Sequence, residues 1–378
     1  MRPRWRISCA VAFEPIWELE AARLMASHKC VHKVRTLFVA KMIMWFAIPA
    51  AGFSQHNSIV ESTETAPLKI DSAIGRSLRL LELSSAQTAE GRSCFNCHGQ
   101  AMPVLALVEA RNRGFEVDSK NLRRQLEHTH EHLSQGRENY LEGKGQGGQV
   151  DTAGYAAWTL KAGDWPADDI TTSVVEYLLK YQSNQNHWSS SSNRPPSEVS
   201  DFSATYVALV TLSQYGTPEQ QPSITERKTQ VKQWLLSAIV VDTEDQVFRL
   251  LSLPYVDGSQ EFIHKTAAEL IAQQRDDGGW AQTPEMRSDA YATATVLAAL
   301  HQVSILQAAD PIYQRGIAYL IKTQVEDGSW HVVTRSKPFQ EYFESGFPHG
   351  VDQFISATAT GWAVIALLPA AGKAKKVD

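Results

Sequence analysis

The sequence predicts an all-α protein, an (α/α)6 toroid of six helical hairpins with a Cys-x-x-Cys-His motif in its first outer-to-inner turn. Three observations predict it. A turn recurs three times with the same residues at the same offsets, stripe-amphipathic helices alternate with helices apolar on nearly every side, and six such pairs can be counted. The 378 residues, 43% of them apolar, suffice for a large core. A formal charge of −5 with both signs interspersed leaves no basic face, which removes nucleic acid from the candidate partners.

At the amino end, Lys29, Lys33 and Arg35 precede the apolar run FVAKMIMWFAIPAAGFSQ, which closes in small residues. That is the layout of an export signal cleaved near Gly52 to Ser54, and the residues before about Met25 read as an over-long start. A retained membrane anchor is the rival reading, but Lys41 and Pro49 interrupt the run and make it short for a span. Residues 1–54 are therefore read as extension and signal, and 55–378 as one toroid domain. The mature chain is expected to be exported, in the periplasm, with no stable membrane span after cleavage.

The first hairpin begins with AIGRSLRLLELSSAQTAEG, residues 73–91, and its inner helix is the apolar PVLALVEA from Pro103. Outer helices are expected at about 118–135, 166–182, 223–240, 259–274 and 310–324, because their apolar residues fall at helical spacing on one side. Inner helices are expected to start near Asp151, Asp201, Asp245, Asp289 and Asp352, where segments such as DAYATATVLAAL are apolar all round. Residues 55–150 thus hold the first two hairpins and the cysteine motif, and 151–370 hold the repeats.

The repeated turns are YLLKYQSNQNHW ending at Trp188, ELIAQQRDDGGW ending at Trp280 and YLIKTQVEDGSW ending at Trp330. Each has Gln, three residues, Gly or Asn, one residue, then Trp. The Gln closes a helix and the Gly or Asn supplies the turn. Gln87 and Gly91 keep the same four-residue offset, and the cysteine motif stands where the tryptophan turn would be. Six hairpins with an apolar inner layer satisfy every inner face by closing into a ring. An open solenoid is the competitor, and it would expose terminal inner helices that carry no polar capping face.

The motif itself lies in EGRSCFNCHGQAMP, residues 90–103. Of the four cysteines, Cys9 and Cys30 lie in the segment expected to be removed, leaving Cys94 and Cys97. Two thiols at this spacing add across the two vinyl groups of haem while the next imidazole, His98, reaches the iron, so an exported chain with this run reads as carrying one covalent haem c. A disulfide, a thioredoxin-like redox pair or half a zinc site are the alternatives. A redox pair wants a βαβ context and zinc wants two more ligands.

The Gln-to-Trp turns resemble the QW repeats of squalene-hopene cyclases and related terpene cyclases, and more distantly those of protein prenyltransferase β subunits. The likeness covers about 150–368. The whole chain, cysteine motif included, is similar to exported bacterial proteins that join such repeats to a c-type haem motif. The resemblance implies structural roles for Gln182, Gln274, Gln324, Trp188, Trp280 and Trp330. Class II cyclases protonate their substrate with the middle Asp of an Asp-x-Asp-Asp motif at an inner-helix start. By that resemblance the candidate catalytic acids are Glu244, Asp245 and Asp242 in DTED, with Glu244 in place of the middle Asp. The longer side chain moves the proton by about 1 Å, a displacement large enough to cost two orders of magnitude in rate. The plainer reading of these acids is helix capping.

In a toroid all outer-to-inner turns emerge on one face, so the haem is expected at the mouth of the ring with Cys94, Cys97 and His98 holding it. For the sixth iron position, His349 and His331 are the leading candidates, with His187, Met102 and Met286 behind them. Arg194, Arg287 and Arg335 suit haem propionates. His128, His130 and His132 in EHTHEH read as a solvated helix face. The inner-helix aromatics Tyr155, Trp158, Phe202, Tyr206, Phe248, Tyr291, Phe354 and Trp362 read first as core filling and second as a box for an apolar ligand. The Gly-rich GKGQGGQ lacks the Ser or Thr after Lys that a phosphate loop needs.

Two functions follow. One is an exported c-type haem protein engaged in electron transfer, or in redox chemistry on an apolar, isoprenoid-like ligand, with a redox partner protein. The other is a terpene-cyclase-like or prenyltransferase-like enzyme acting by acid catalysis in the toroid.

Overall fold

Helix α1 (Thr65–Gly91) opens the described part of a computed structural model, which covers residues 65–337 and 342–372. The expected export signal within 1–54 lies outside the described residues. A single wide turn, Cys97–Ala101, leads into α2 (Met102–Asn112). There follow α3 (Ser119–Gln135), the short α4 (Arg137–Leu141), α5 (Gln149–Ala162), α6 (Asp169–Lys180) and α7 (Asp201–Tyr215). The chain continues through α8 (Gln221–Ser237), α9 (Thr243–Ser252), α10 (Gln260–Ile271), α11 (Ala290–Gln302), α12 (Pro311–Thr323) and α13 (Gln353–Leu367).

Composition decides which layer each helix joins. Every residue of α11 from Ala290 to Leu300 is buried, whereas α3 buries Leu122, Leu126 and Leu133 on one side and leaves its charges outside. Side-chain caps fix the starts. Asp118, Asp168, Ser200, Asp242, Ser259 and Asp289 each accept a hydrogen bond from an N–H of the first turn of the helix that follows. The later outer helices and the inner-helix starts agree with expectation to within a few residues, whereas α1 begins eight residues before the expected 73–91 segment and α4 is an addition.

The inner layer closes on itself. Helix α2 packs on α5, α5 on α7, α7 on α9, α9 on α11, α11 on α13, and α13 returns to α2. The fold is therefore all-α and toroidal, six hairpins around a ring, and not an open solenoid. One stretch among the described residues, Gly350–Ala370, is long and apolar enough to cross a membrane, but 78% of its apolar 18-residue window is buried inside the protein, as a core helix requires.

The Gln-to-Trp turns make the closure. Each indole Nε1 donates to a carbonyl of the preceding outer helix: Trp188 to Leu178, Trp280 to Leu270 and Trp330 to Leu320, at 2.7–3.0 Å. Gln274 donates to the Gly278 carbonyl of its own turn and to the Ile312 carbonyl of the next outer helix, α12, whose Arg315 donates back to it. Gln324 repeats the pattern on α1, donating to the Gly328 and Ala73 carbonyls and receiving from Arg76. The first helix thus serves the last turn as α12 serves the turn before it. Gly278 and Gly328, at φ of +88° and +96°, lie against the Arg315 and Arg76 backbone, where a Cβ would collide.

Aromatic rings fill the middle. Trp158 lies 5.3 Å from Tyr206 and 6.1 Å from Trp362, and Phe248 lies 5.3 Å from Tyr206 and 6.4 Å from Trp362. Four inner helices contribute these rings, which pack at ordinary aromatic spacing.

Candidate functional site

The cysteine motif is built as a capped turn. Asn96, between the two cysteines, accepts from the His98 and Gly99 N–H groups at 3.0 and 2.8 Å, while its own N–H donates to Gln100. Helix α3 braces the turn from outside. His128 Nε2 donates to the Arg92 carbonyl at 2.8 Å and its Nδ1 accepts from Gln100, so both ring nitrogens serve the scaffold.

Both motif thiols are free, Cys94 exposed and Cys97 partly buried, and both line one cleft of about 770 Å³. This is within the size of ligand pockets, roughly 300–1,000 Å³. The cleft lies on the mouth face at the start of α5, where Cys97 Sγ approaches the Asp151 carbonyl at 4.0 Å. Its remaining wall includes Arg92, His132, Asp151, Arg194, Glu198 and the Gly-rich segment before α5. Burial pushes the Cys97 thiol well up, and the Glu198 and Asp151 charges add to this. A neutral thiol of this kind is a poor exchange nucleophile, which argues against the redox-pair reading.

His98 sits behind the thiols, buried, with Nε2 2.9 Å from the Ser197 hydroxyl and Nδ1 3.1 Å from Glu198. Burial alone pushes the Glu198 carboxyl up. His98, the Arg194 guanidinium at 3.2 Å and the Ser192 hydroxyl outweigh it and lower the value to about 2. Asp151 accepts from Ser190 at 2.7 Å, and burial raises its carboxyl to about 7.

The residues fit a haem in two respects and meet it with one demand. Both thiols face the same cleft, and two guanidinium groups stand in its wall. His132 lines the same cleft, and burial first, then neighbouring His128, lowers its pKa. The demand is that His98 Nε2 exchange the Ser197 hydroxyl for iron. Its Nδ1 contact with Glu198 is the partner that orients metal-bound imidazoles.

The histidines expected at a sixth iron position are engaged with other partners. His331 and His349 stack on each other at 4.5 Å, with His331 Nε2 on Asp352 and His349 Nε2 on Ser329, both at 2.7–2.8 Å. Among the described residues neither has a hydrogen bond, ion pair or ring contact with Cys94, Cys97 or His98. His187 is stacked on Trp234 at 4.4 Å and bonded to Asp201, and Met102 is buried at the start of α2. Of the arginines considered, Arg194 lines the cleft and Arg335 pairs with Asp242 at 3.8 Å. Sequence reasoning missed Arg92, Ser197 and Glu198, which carry no local motif. It also read His132 as solvated, although the four-residue step from His128 puts both on one side of α3.

The acidic group at the start of α9 is a second cluster. Asp242 caps the Asp245 N–H at 3.1 Å, and Asp245 accepts from Ser200 at 2.7 Å and from the Val241 N–H at 2.9 Å. These two serve the scaffold. Glu244 differs, being buried with the Tyr291 hydroxyl 3.1 and 3.0 Å from its two oxygens. Burial raises its pKa well above the ordinary value and the Asp242 charge adds to this, so Glu244 holds its proton more tightly than a free carboxyl. No exposed surface reaches it. Glu244 is 3% and Tyr291 1% exposed, and Phe248, one helical turn on, is fully buried.

No curated protein is significantly similar to the chain. Among solved structures, the apo type II terpene cyclase MstE from Scytonema superposes with a TM-score of 0.48 and 15% identity, covering 80% of this chain and 99% of that one. Residues 232–377, which include Glu244 and two of the three Gln-to-Trp turns, match the family model of the squalene-hopene cyclase C-terminal domain.

Proposed function

We propose that this chain is a c-type haem protein that uses a cyclase-like toroid as scaffold and exchanges electrons with a partner protein. The observation that carries the reading is the pair of free thiols facing one cleft, with His98 directly behind them. Cys94 and Cys97 would hold the haem by thioether bonds and His98 would supply the first axial ligand. Arg92 and Arg194 would neutralise the propionates. Bound there, haem supplies a one-electron couple whose potential follows from axial ligands, burial and nearby charge. Glu198 orients His98 and raises its basicity. The exposed Cys94 edge is where a redox partner would approach. Covalent attachment of this kind belongs to exported proteins, so the reading carries a periplasmic location with it. The aromatic rings filling the toroid favour electron exchange over chemistry on an apolar ligand held within the ring.

A second reading has its own observation, the buried Glu244 bonded to the Tyr291 hydroxyl, its pKa raised by burial. It supports a cyclase-like or prenyltransferase-like acid in the toroid, with Asp242 and Asp245 positioning it. For turnover, the rings below Glu244 would have to part to admit substrate.

The test is production with a haem-attachment system followed by a pyridine haemochrome spectrum. The haem reading expects the c-type spectrum from the wild type and its alteration in Cys94→Ala and Cys97→Ala. Turnover of a polyprenyl substrate that Glu244→Gln abolishes, in protein free of haem, would favour the acid.

A further inference from the structure

We infer that Gln282, Asp289 and Arg335 form a water-holding inlet through which Glu244 exchanges its proton with solvent at the mouth of the ring. The inference deepens the acid reading above and rests on it for its use, since an acid that gives up its proton must regain one before it can act again. Five buried side-chain atoms of these residues have no hydrogen-bond partner among the described residues: Arg335 Nε and Nη2, Gln282 Nε2 and Oε1, and Asp289 Oδ2. Gln282 is 2% exposed and leaves both ends of its amide unpaired. Buried polar atoms of this kind are normally satisfied by ordered water, each molecule of which makes about three hydrogen bonds. Three donors and two acceptors suit about two such waters.

Backbone contacts gather these residues around the acid. Thr243, which precedes Glu244, donates from its N–H to the Gln282 carbonyl at 3.1 Å and from its hydroxyl to the Ala281 carbonyl at 2.6 Å. Asp289 caps α11 through the Ala292 N–H at 2.9 Å and stands just before Tyr291, whose hydroxyl meets Glu244. Arg335 arrives from the segment after Trp330, with Nη2 3.8 Å from Asp242. Burial raises the pKa of Asp242, Glu244 and Asp289, and the Arg335 guanidinium lowers all three, which places it among them. The Gln282 amide also lowers Asp289, although it closes no hydrogen bond with that carboxyl. Exposure falls from the rim toward the acid. The Arg335 side chain is 26% and the Asp242 side chain 16% exposed, against 2% for Gln282 and 3% for Glu244. Glu244 itself touches no surface, so these polar side chains are its link to solvent.

The experiment transfers wild type, Gln282→Met, Arg335→Met and Glu244→Gln into mildly acidic heavy water and follows the carboxyl bands by infrared spectroscopy, with backbone amide exchange read in parallel. The Glu244 band is the one that Glu244→Gln removes. On exchange its O–H bond breaks as an O–D bond forms and HOD leaves, so the band shifts. The wild-type band is expected to shift well before the core amides of α9 and α11 exchange, since those require the helices to open. Gln282→Met and Arg335→Met should each slow the shift by roughly tenfold or more while leaving those amides unchanged. Methionine matches both side chains in its apolar stem, and either variant carries the test if the other does not fold. A wild-type band that shifts only together with the core amides, a shift as fast in the variants as in the wild type, or a Glu244→Gln spectrum that lacks no carboxyl band would overturn the inlet. Fast exchange at Glu244 in a protein that turns over no polyprenyl substrate would remove the acid reading and leave the inlet standing.

Discussion

Glu198 meets His98 at 3.1 Å through Nδ1, and the two residues are buried together directly behind the cysteine pair. They are one hundred residues apart in sequence, so the loop before α7 is pinned to the first hairpin at the site where the haem would stand. The carboxyl, held at about 2, is ionised throughout the neutral range.

That pairing makes stability depend on acid. The folded chain holds the Glu198 proton less tightly than the unfolded chain, whose carboxyl has its ordinary value of 4.5. The stabilisation is therefore complete above that value and is lost as pH falls toward 2. Glu198→Gln should cost about 3 kcal/mol at pH 7, because Arg194 and the His98 Nδ1 lose a buried carboxylate partner. Urea unfolding at pH 7 and pH 3 should show the gap between variant and wild type narrowing in acid.

Glu244 has the opposite sign. Its pKa is raised in the folded chain, so the folded state keeps a proton that the unfolded chain releases above its ordinary value of 4.5. Its contribution is full below that value and declines as pH rises. Glu244→Gln, a neutral side chain of the same shape, should flatten the loss of stability between pH 5 and pH 8. Tyr291→Phe should cost about 1–3 kcal/mol by removing the hydrogen bond to a buried carboxyl. Denaturant titrations across that pH range check both.

Ring closure is tested at Gln324, whose side chain donates to Ala73, Ser77 and Gly328. Gln324→Ala should destabilise by about 2 kcal/mol, since buried acceptors on α1 lose their donor. Gln274→Ala should cost a similar amount, because it makes the equivalent contacts to α12. A negligible effect at Gln324 beside a clear one at Gln274 would mean that the first and last hairpins do not depend on each other in solution.

The toroid was legible because its determinants are local and repeated. A helix apolar on every side, such as α11, has no stable place except the inner layer, and the Gln-to-Trp offset marks the same turn wherever it occurs. The candidate site was legible only in its contiguous part. Cys94, Cys97 and His98 are adjacent in sequence, whereas Glu198 and Ser197 reach His98 through a loop with no periodicity to read. His331 and His349 do share a place on the mouth face with each other, but stacking and hydrogen bonds to Asp352 and Ser329 occupy them. His132 was hidden among three closely spaced histidines, and only the packing of α3 against the first hairpin separates its environment from theirs. Glu244 was found by its position in DTED, yet its burial against Tyr291 depends on how α9 and α11 meet.

The most direct measurement is the intact mass of the exported, fully denatured protein. The account predicts one haem retained through denaturation, bonded within the peptide that contains Cys94 and Cys97, and absent when both are replaced by alanine. A polypeptide of bare mass, recovered from a host that matures other c-type proteins normally, would contradict it.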